Sequence, residues 1–519
     1  MRLTHMMLRA ARTNRAGSAT VAGQRRRNWQ EFAARVARLA GGLKRLGIGP
    51  GERVAILALN GDRYLEFFFA VPWAGAVFVP INTRLAVPEI AFWLNDSGSQ
   101  ALFIDDAFLP LLPRLKPALA TVRHLVYLGD GPAPAGLTHY EALHDGAAAA
   151  DDAERSGHDP AGIFYTGGTT GQSKGVMLSH ANLHANALNA AIGLRFDRHT
   201  NWLHAAPMFH LADGTSTFAV TLMGGAHCFI PKFDAGELLA AIERYRASHS
   251  CLVPTMINLV VNHPDLPGRD IASFRGVLYG ASPMPEALIR KALDVMPRVG
   301  FFHGYGQSEC SPMLTLMGPE YHVLEGPNAG KLTSCGQPAA GVEVKICDQA
   351  GNELPRGQIG EIRARGANVM LGYWNQPELT RRTIVDGWIR TGDGATMDED
   401  GFVYIVDRLK DMIISGGENV YSAEVEDALY RHPAVLECAV IGIPHDKWGE
   451  QVHAIVRLRP AATAGAEALI RHCKALIANY KCPRSVAFVE APLPLSGAGK
   501  ILKTELRKPY WSGRRKQVN

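Results

Sequence analysis

A two-domain α/β protein is predicted by three features of the 519-residue sequence. Helical and strand patterns alternate through most of the chain before Gly336. Short valine-rich runs then take over. Beyond a charged, glycine-bearing segment at 407–420, the pattern becomes a compact mixture of helix and strand. The predicted architecture is a large N-terminal domain of mixed sheets with helices and a β-rich subdomain, followed by a small, mobile α+β C-terminal domain.

The elements follow in order. No Asp or Glu precedes Glu31, whereas Arg2, Arg9, Arg12 and Arg15 recur. That loosely resembles an organellar transit peptide, although it has no apolar core for secretion. An arginine-rich surface helix of a cytoplasmic enzyme is the preferred reading. Asn28 and Glu31 form a capping-box pattern. Phe32, Val36, Leu39, Leu43 and Leu46 then recur at helical spacing, and Gly47 is a natural stop. Residues 54–59 make a short buried strand. The stretch FFFAVPWAGAVFVPINT, 67–83, falls short of a membrane span and is broken by Pro72, Gly75 and Pro80, so it reads as a buried helix, a turn and a buried strand. A helix at 238–245 precedes a strand at 250–253, and a helix at 286–295 follows a strand at 276–279, an alternation that suits buried, largely parallel sheets. AAAADDAE near Ala147 reads as a loop. After Gly336 the runs VEVKI, GEIRA and GFVYIV are separated by Gly, Asp and Pro, as in a β-rich subdomain. From Tyr421 the order is helix, strand, strand, helix, strand. The domain boundary is placed within 407–411, giving domains 1–408 and 409–519.

Composition narrows the function. With 47% hydrophobic and 20% charged residues, the chain is an ordinary globular protein. A net charge of +5 suits small polyanions such as ATP and CoA, and is no argument for nucleic acid. Eight cysteines without a CxxC pair read as reduced, buried thiols.

The strongest local signal is YTGGTTGQSKG, 165–175. A strand runs into four glycines, three threonines, a serine and a lysine. Glycines let backbone N–H groups turn toward phosphate oxygens, and the hydroxyls of Thr166, Thr169 and Thr170 with Lys174 add donors and charge. Gln172 and Ser173 separate Gly171 from Lys174, so this is not a Walker A loop. A polar surface turn is the bland alternative.

This loop resembles the phosphate-binding signature of the adenylate-forming superfamily of acyl-CoA synthetases, luciferases and peptide-synthetase adenylation domains. The usual form is YTSGTTGxPKG, so Gly167 and Ser173 replace a serine and a proline, while Gly168 and Gly171 are kept. The resemblance continues in family order. HGYGQSE, 303–309, implies that Tyr305 covers adenine, Ser308 touches the α-phosphate and Glu309 holds Mg²⁺. Gly280, Ala281 and Ser282, followed by Pro283, match the loop lining adenine and part of the acyl pocket. TGD, 391–393, implies that Asp393 accepts from both ribose hydroxyls. DRLKD, 407–411, matches the hinge motif, with Arg408 reaching the nucleotide and Lys410 as the pivot. In LPLSGAGKILK, Lys500 stands where the family carries its adenylation lysine.

The resemblance implies two steps: attack of a carboxylate on the α-phosphate of ATP, then transfer of the acyl group to CoA after the small domain rotates about Lys410. Ser415, Gly416, Gly417 and Glu418 would line the pantetheine tunnel. HAAPMFHLADG, 204–214, corresponds to the acid-pocket motif, with His210 as a wall near the carboxylate or, alternatively, a helix-capping or core histidine. Amino-acid-activating relatives carry an aspartate at that place; here Asp213 lies close by. Segments 186–192, 254–261 and 280–284 supply walls without obvious charge, so an acid with an apolar body is expected. PMFH, PMPEALI and DRLKDMIISGGENVY are most similar to bacterial fatty acyl-CoA synthetases, and a medium- or long-chain fatty acid is the preferred substrate. Feruloyl- and other aryl-CoA ligases share most of those strings. Loading of a carrier protein is a further alternative; CoA is preferred because the tunnel motif is intact and no carrier domain is appended. A non-catalytic scaffold is disfavoured because the ATP and magnesium groups are all present. The basic tail RKPYWSGRRKQVN is expected to be a solvated segment, with weak contact to an anionic membrane surface as the alternative.

Overall fold

The computed structural model describes all residues except 167–172, 283, 409–410, 416–417, 497–500 and 513–519. Among the described residues the large domain contains three sheets. In the first, eight strands lie in the order Gly372–Tyr373, Lys174–Ser179, Pro160–Thr166, Val77–Pro80, Arg53–Leu57, Ser99–Ile104, His124–Tyr127 and Thr138–His139. The second has nine strands, with a parallel centre that includes Asn201–His204, His249–Cys251, Gly276–Gly280 and Gly300–Gly306. The third is a five-stranded antiparallel sheet built from the valine-rich runs Val342–Cys347, Gly360–Gly366 and Val403–Arg408, with Ile384–Val385 and Trp388–Met397.

Local chemistry sets many of these boundaries. The Asn28–Glu31 capping box is formed, and Phe32, Val36, Leu39 and Leu43 of helix Trp29–Arg45 are buried. Gly47 follows it in the left-handed region. Helix Asp62–Trp73 is apolar nearly all round because it is buried along its whole length. Its Phe68 meets Phe78 of the first sheet at 5.0 Å, and Phe69 meets Phe218 of helix Leu211–Met223 at 5.9 Å. The charged residues on this helix are paired: Glu66 accepts from Arg35 and Tyr140, and Asp62 from Arg25 and Arg27. Among the described residues no helix is long and apolar enough to cross a membrane.

The small domain has its own five-stranded sheet and core, centred on Ile413, Val440, Val452 and Leu469. Two of its strands, Ile413–Ser415 and Glu418–Val420, lie in the segment that the sequence presents as a charged stretch. The sheets change between Arg408, which pairs with Asp393, and Ile413, which pairs with Val420.

The expectation of a solvated tail is corrected for residues 507–511, and residues 513–519 lie outside the described residues. Helix Lys503–Trp511 is docked on the small domain. Lys503 pairs with Glu426 at 2.7 Å, Arg507 with Asp411 at 2.8 Å, the Tyr510 hydroxyl lies 2.9 Å from His453, and the Trp511 indole donates to the Gly442 carbonyl. Its charge and Pro509 conceal a helix held by distant partners. Those two aromatic polar tips are engaged within the domain rather than presented to a membrane. Arg9 and Arg12 stand on helix Leu3–Thr13, Arg2 is at its N-cap and Arg15 lies just after it, and this helix buries Leu3, Met6, Met7 and Ala10.

Candidate active site

The site lies where parallel strands of the two large sheets end, the usual place for ligands in such sheets. Thr166 closes one strand and Lys174 opens the next, the two residues facing each other across the ladder. Thr166 and Lys174 are therefore the closing pair of a hairpin. The hairpin is braced from behind: Tyr165 stacks on Trp93 at 4.9 Å and donates to Asp96. Trp374 donates its indole N–H to the Asp96 carbonyl and its backbone N–H to Gly175.

From the second sheet, Gly280 ends strand Gly276–Gly280 against Gly304 of the neighbouring strand. A Cβ at Gly280 would lie 2.0 Å from the Gly304 carbonyl oxygen, so only glycine fits. Ala281 follows with φ of 66°, an uncommon conformation for a residue with a side chain. Ser282 is half-buried beside it. Strand Gly300–Gly306 carries Tyr305, whose hydroxyl donates to Asp393 at 2.8 Å. Burial and then the Asp393 carboxylate push the Tyr305 phenol well above its ordinary range, so it stays a donor. Asp393 is presented by strand Trp388–Met397, where Thr391 bonds the Ile362 carbonyl and Gly392 takes a positive φ. Behind Tyr305, His303 stacks on Tyr279 and lies 2.8 Å from the Ser334 carbonyl; burial lowers its pKa to about 4, so it is neutral.

Ser308 and Glu309 sit on the short 3-10 turn Ser308–Cys310. The Glu309 carbonyl accepts from Met370 N–H, and its carboxylate Oε1 accepts from the Tyr373 hydroxyl at 2.9 Å. The Lys174 ammonium lies 5.5 Å from the Tyr373 ring centroid. Thus Tyr305 is paired with Asp393, and Tyr373 joins Lys174 to Glu309. Tyr373, Trp374 and Asp96 escape the sequence reading. The only hint was that GYW and the helix before Ser97 contain polar-tipped residues, which have no spacing rule to connect them.

His210 caps helix Leu211–Met223, its Nδ1 accepting from Ala212 N–H at 3.1 Å. This is the capping role that the sequence left open beside a wall role. Asp213 does not face a substrate amine. It is fully buried, 2.5 Å from His204 Nδ1, and it accepts from the Trp202 indole. In segment 186–192, Asn186 is turned inward to accept from Met313 N–H, whereas Leu188 and Ile192 are exposed. The backbone of Arg408 pairs with Asp393, and its side chain lies outside the described residues. Gly167, Gly168, Thr169, Thr170, Gly171, Lys410, Gly416, Gly417 and Lys500 lie outside the described residues. Ser415 and Glu418 are the closing pair of a small-domain hairpin.

Residues 8–374 match the AMP-binding enzyme family, and residues 424–500 match the AMP-binding enzyme C-terminal domain. A feruloyl-CoA synthase from Amycolatopsis sp is 39% identical over 504 residues, covering 97% of this chain and 98% of that one. The long-chain-fatty-acid–CoA ligase FadD13 of Mycobacterium tuberculosis is 35% identical over 492 residues, 93% of each chain. Among solved structures, ATP-bound MatB from Rhodopseudomonas palustris superposes with a TM-score of 0.87 at 30% identity, covering 98% of this chain and 99% of that one.

Proposed function

We propose a reaction for this chain from the premise that it belongs to the AMP-binding enzyme family and is an acid–thiol ligase. It activates a carboxylic acid with an apolar body as its adenylate, using ATP, and passes the acyl group to CoA. The observation that carries this reading is the pairing of Tyr305 with Asp393, together with the joining of Lys174 and Glu309 through Tyr373, from motifs spread over more than two hundred residues.

In the first step a carboxylate oxygen attacks the α-phosphorus, the bond to the β-phosphate breaks, and pyrophosphate leaves. Two anions must meet, so catalysis is positioning and charge neutralisation. Backbone N–H groups of residues 167–171, the hydroxyls of Thr166, Thr169 and Thr170, and Lys174 receive the β- and γ-phosphates. Ser308 meets the α-phosphate. Gly280, Ala281 and Ser282 line the nucleotide, Tyr305 covers the adenine, Asp393 accepts from the ribose, and Arg408 reaches the same nucleotide. Lys500 bridges acyl and phosphate oxygens. Glu309 suits a hard divalent cation: one carboxylate oxygen is fixed by Tyr373, and Oε2 takes no hydrogen bond among the described residues. Mg²⁺ held there would neutralise phosphate charge. In the second step the CoA sulfur attacks the acyl carbonyl, the carbon–oxygen bond to AMP breaks, and the thiol proton leaves with AMP or water. A turn of domain 409–519 about Lys410 would bring 415–418 to the pantetheine and carry Lys500 away. We place the enzyme in the cytoplasm, where ATP, CoA and reduced thiols coexist.

The uncharged segments near His210, which would form a wall of the acid pocket, favour a medium- or long-chain fatty acid. The higher identity to a feruloyl-CoA synthase favours a hydroxycinnamate as the second reading. A CoA-ligation panel of fatty acids, benzoates and hydroxycinnamates tests both, with pyrophosphate exchange read in parallel. Highest kcat/KM on a C8–C18 acid supports the first reading, on ferulate or coumarate the second. No exchange with any acid would refute adenylation of these substrate classes.

A further inference from the structure

We infer that Tyr373 is a positioning residue that locks the metal-side carboxylate and the phosphate-side ammonium into one arrangement. The inference rests on the reading that Glu309 serves the metal and Lys174 the phosphates. It adds a residue that none of the recognised motifs contains.

The backbone explains how one side chain reaches both. Strand Gly372–Tyr373 runs antiparallel to strand Lys174–Ser179, with Tyr373 opposite Val176. Side chains alternate along a strand, so Val176 and Lys174 share a face, and a residue opposite Val176 projects onto that same face. Tyr373 and Lys174 are therefore diagonal neighbours, a separation that an aromatic ring and a long side chain can bridge. The observed 5.5 Å between ammonium and ring centroid lies within cation–π range. The ring continues past Lys174, and its hydroxyl ends 2.9 Å from Glu309 Oε1.

Burial and two further contacts hold the arrangement in place. Tyr373 is almost fully buried, at 7% exposure. Its backbone N–H donates to the Thr380 hydroxyl at 2.9 Å. Glu309 is fixed from its own backbone by Met370 N–H, three residues before Tyr373. The hydroxyl thus occupies one carboxylate oxygen and leaves the other to a ligand. The ring face holds the ammonium without neutralising it, as a carboxylate would. One residue in this way sets the distance between a positive group and a metal-binding oxygen, two points that must fit the same triphosphate. A phenylalanine could hold Lys174 but not Glu309; a glutamate could do neither without cancelling the lysine's charge.

The test compares Tyr373→Phe, which keeps the ring and loses the hydroxyl, with Tyr373→Leu, which loses both. Mn²⁺ binding to the protein with a non-hydrolysable ATP analogue is followed by electron paramagnetic resonance. Affinity for the analogue without metal and the thermal midpoint are measured alongside. Tyr373→Phe is expected to weaken Mn²⁺ by about 10- to 100-fold, the usual effect of removing a hydrogen-bond partner of a metal ligand. Its metal-free analogue affinity and midpoint should stay at the parent values, and the Mg²⁺ needed for half-maximal pyrophosphate exchange should rise in proportion. Tyr373→Leu should in addition bind the metal-free analogue several-fold more weakly. Parent-like Mn²⁺ affinity in Tyr373→Phe, beside impaired binding in Glu309→Gln, would overturn the inference alone. Parent-like affinity in Glu309→Gln would overturn the metal reading and the inference with it.

Discussion

Replacing Asp213 by alanine should unfold the large domain at markedly lower denaturant, and the effect can be sized from its surroundings. Asp213, His204 and His227 are each wholly buried. One carboxylate oxygen lies 2.5 Å from His204 Nδ1; the other accepts from the Trp202 indole at 3.2 Å. The chain continues from His204 Nε2 to His227 at 2.9 Å and on to the Thr221 hydroxyl at 3.1 Å. Removing the buried carboxylate leaves the hydrogen-bonding His204 nitrogen without its partner in a medium without water, at about 1–3 kcal/mol. The orphaned indole N–H adds about 1–3 kcal/mol. Asp213→Asn keeps an acceptor and the volume, so it should lose only about 1–3 kcal/mol. Urea unfolding of the parent and both variants, followed by tryptophan fluorescence, measures this directly. A loss below about 1 kcal/mol for Asp213→Ala would refute the reasoning, as would an alanine variant no worse than the asparagine one. Asp213→Asn should also leave the choice of acid unchanged, since this carboxylate faces the core.

Three other outcomes follow from the geometry. Arg84, on the loop after strand Val77–Pro80, donates to the Ser496 carbonyl at 3.0 Å and so ties the large domain to the segment that leads to Lys500. Arg84→Ala should slow pyrophosphate exchange about tenfold, one charge-assisted hydrogen bond's worth, while thioester formation from supplied acyl-AMP is unchanged; equal rates for the variant and parent in both half-reactions would refute it. Burial lowers the pKa of His180, His249, His303 and His322 to about 4, and that of His144 to about 3. The unfolded chain takes up these protons near pH 6.5, so stability is full above that pH and falls as pH drops toward 4; a urea midpoint constant from pH 7 to 5 would refute this. Gly280→Ala would place its Cβ 2.0 Å from the Gly304 carbonyl, costing about 1–3 kcal/mol as the strands are forced apart and weakening binding of an ATP analogue, as read by calorimetry.

Local chemistry was legible in the sequence wherever it acts over a few residues. The Asn28–Glu31 box, the bounds of helix Glu286–Val295 and the alternating runs of the third sheet all emerge from short-range pattern. The bond from Tyr305 to Asp393 was not legible, since 88 residues separate them; the family motifs implied only that both meet one nucleotide. Tyr373 was invisible for a related reason: its partners lie 64 residues away in Glu309 and on a different strand in Lys174. No periodicity encodes such a pair. The terminal helix was missed because its stability comes from Glu426 and Asp411 rather than from its own polar sequence. His210 could not be resolved between wall and cap by composition, because an imidazole suits either role.

The buried cysteines have a chemical consequence. All eight are free, and burial raises their thiol pKa values, to about 12 for Cys335 and well above the ordinary value for Cys310, which adjoins Glu309 in sequence. A mixed anhydride acylates any thiolate within reach, and the proposed second substrate is itself a thiol. Keeping every protein sulfur protonated and out of contact removes the competing nucleophiles. The protein is thereby spared self-acylation and mixed disulfides with its acceptor, and the activated acyl group is left with a single sulfur to meet.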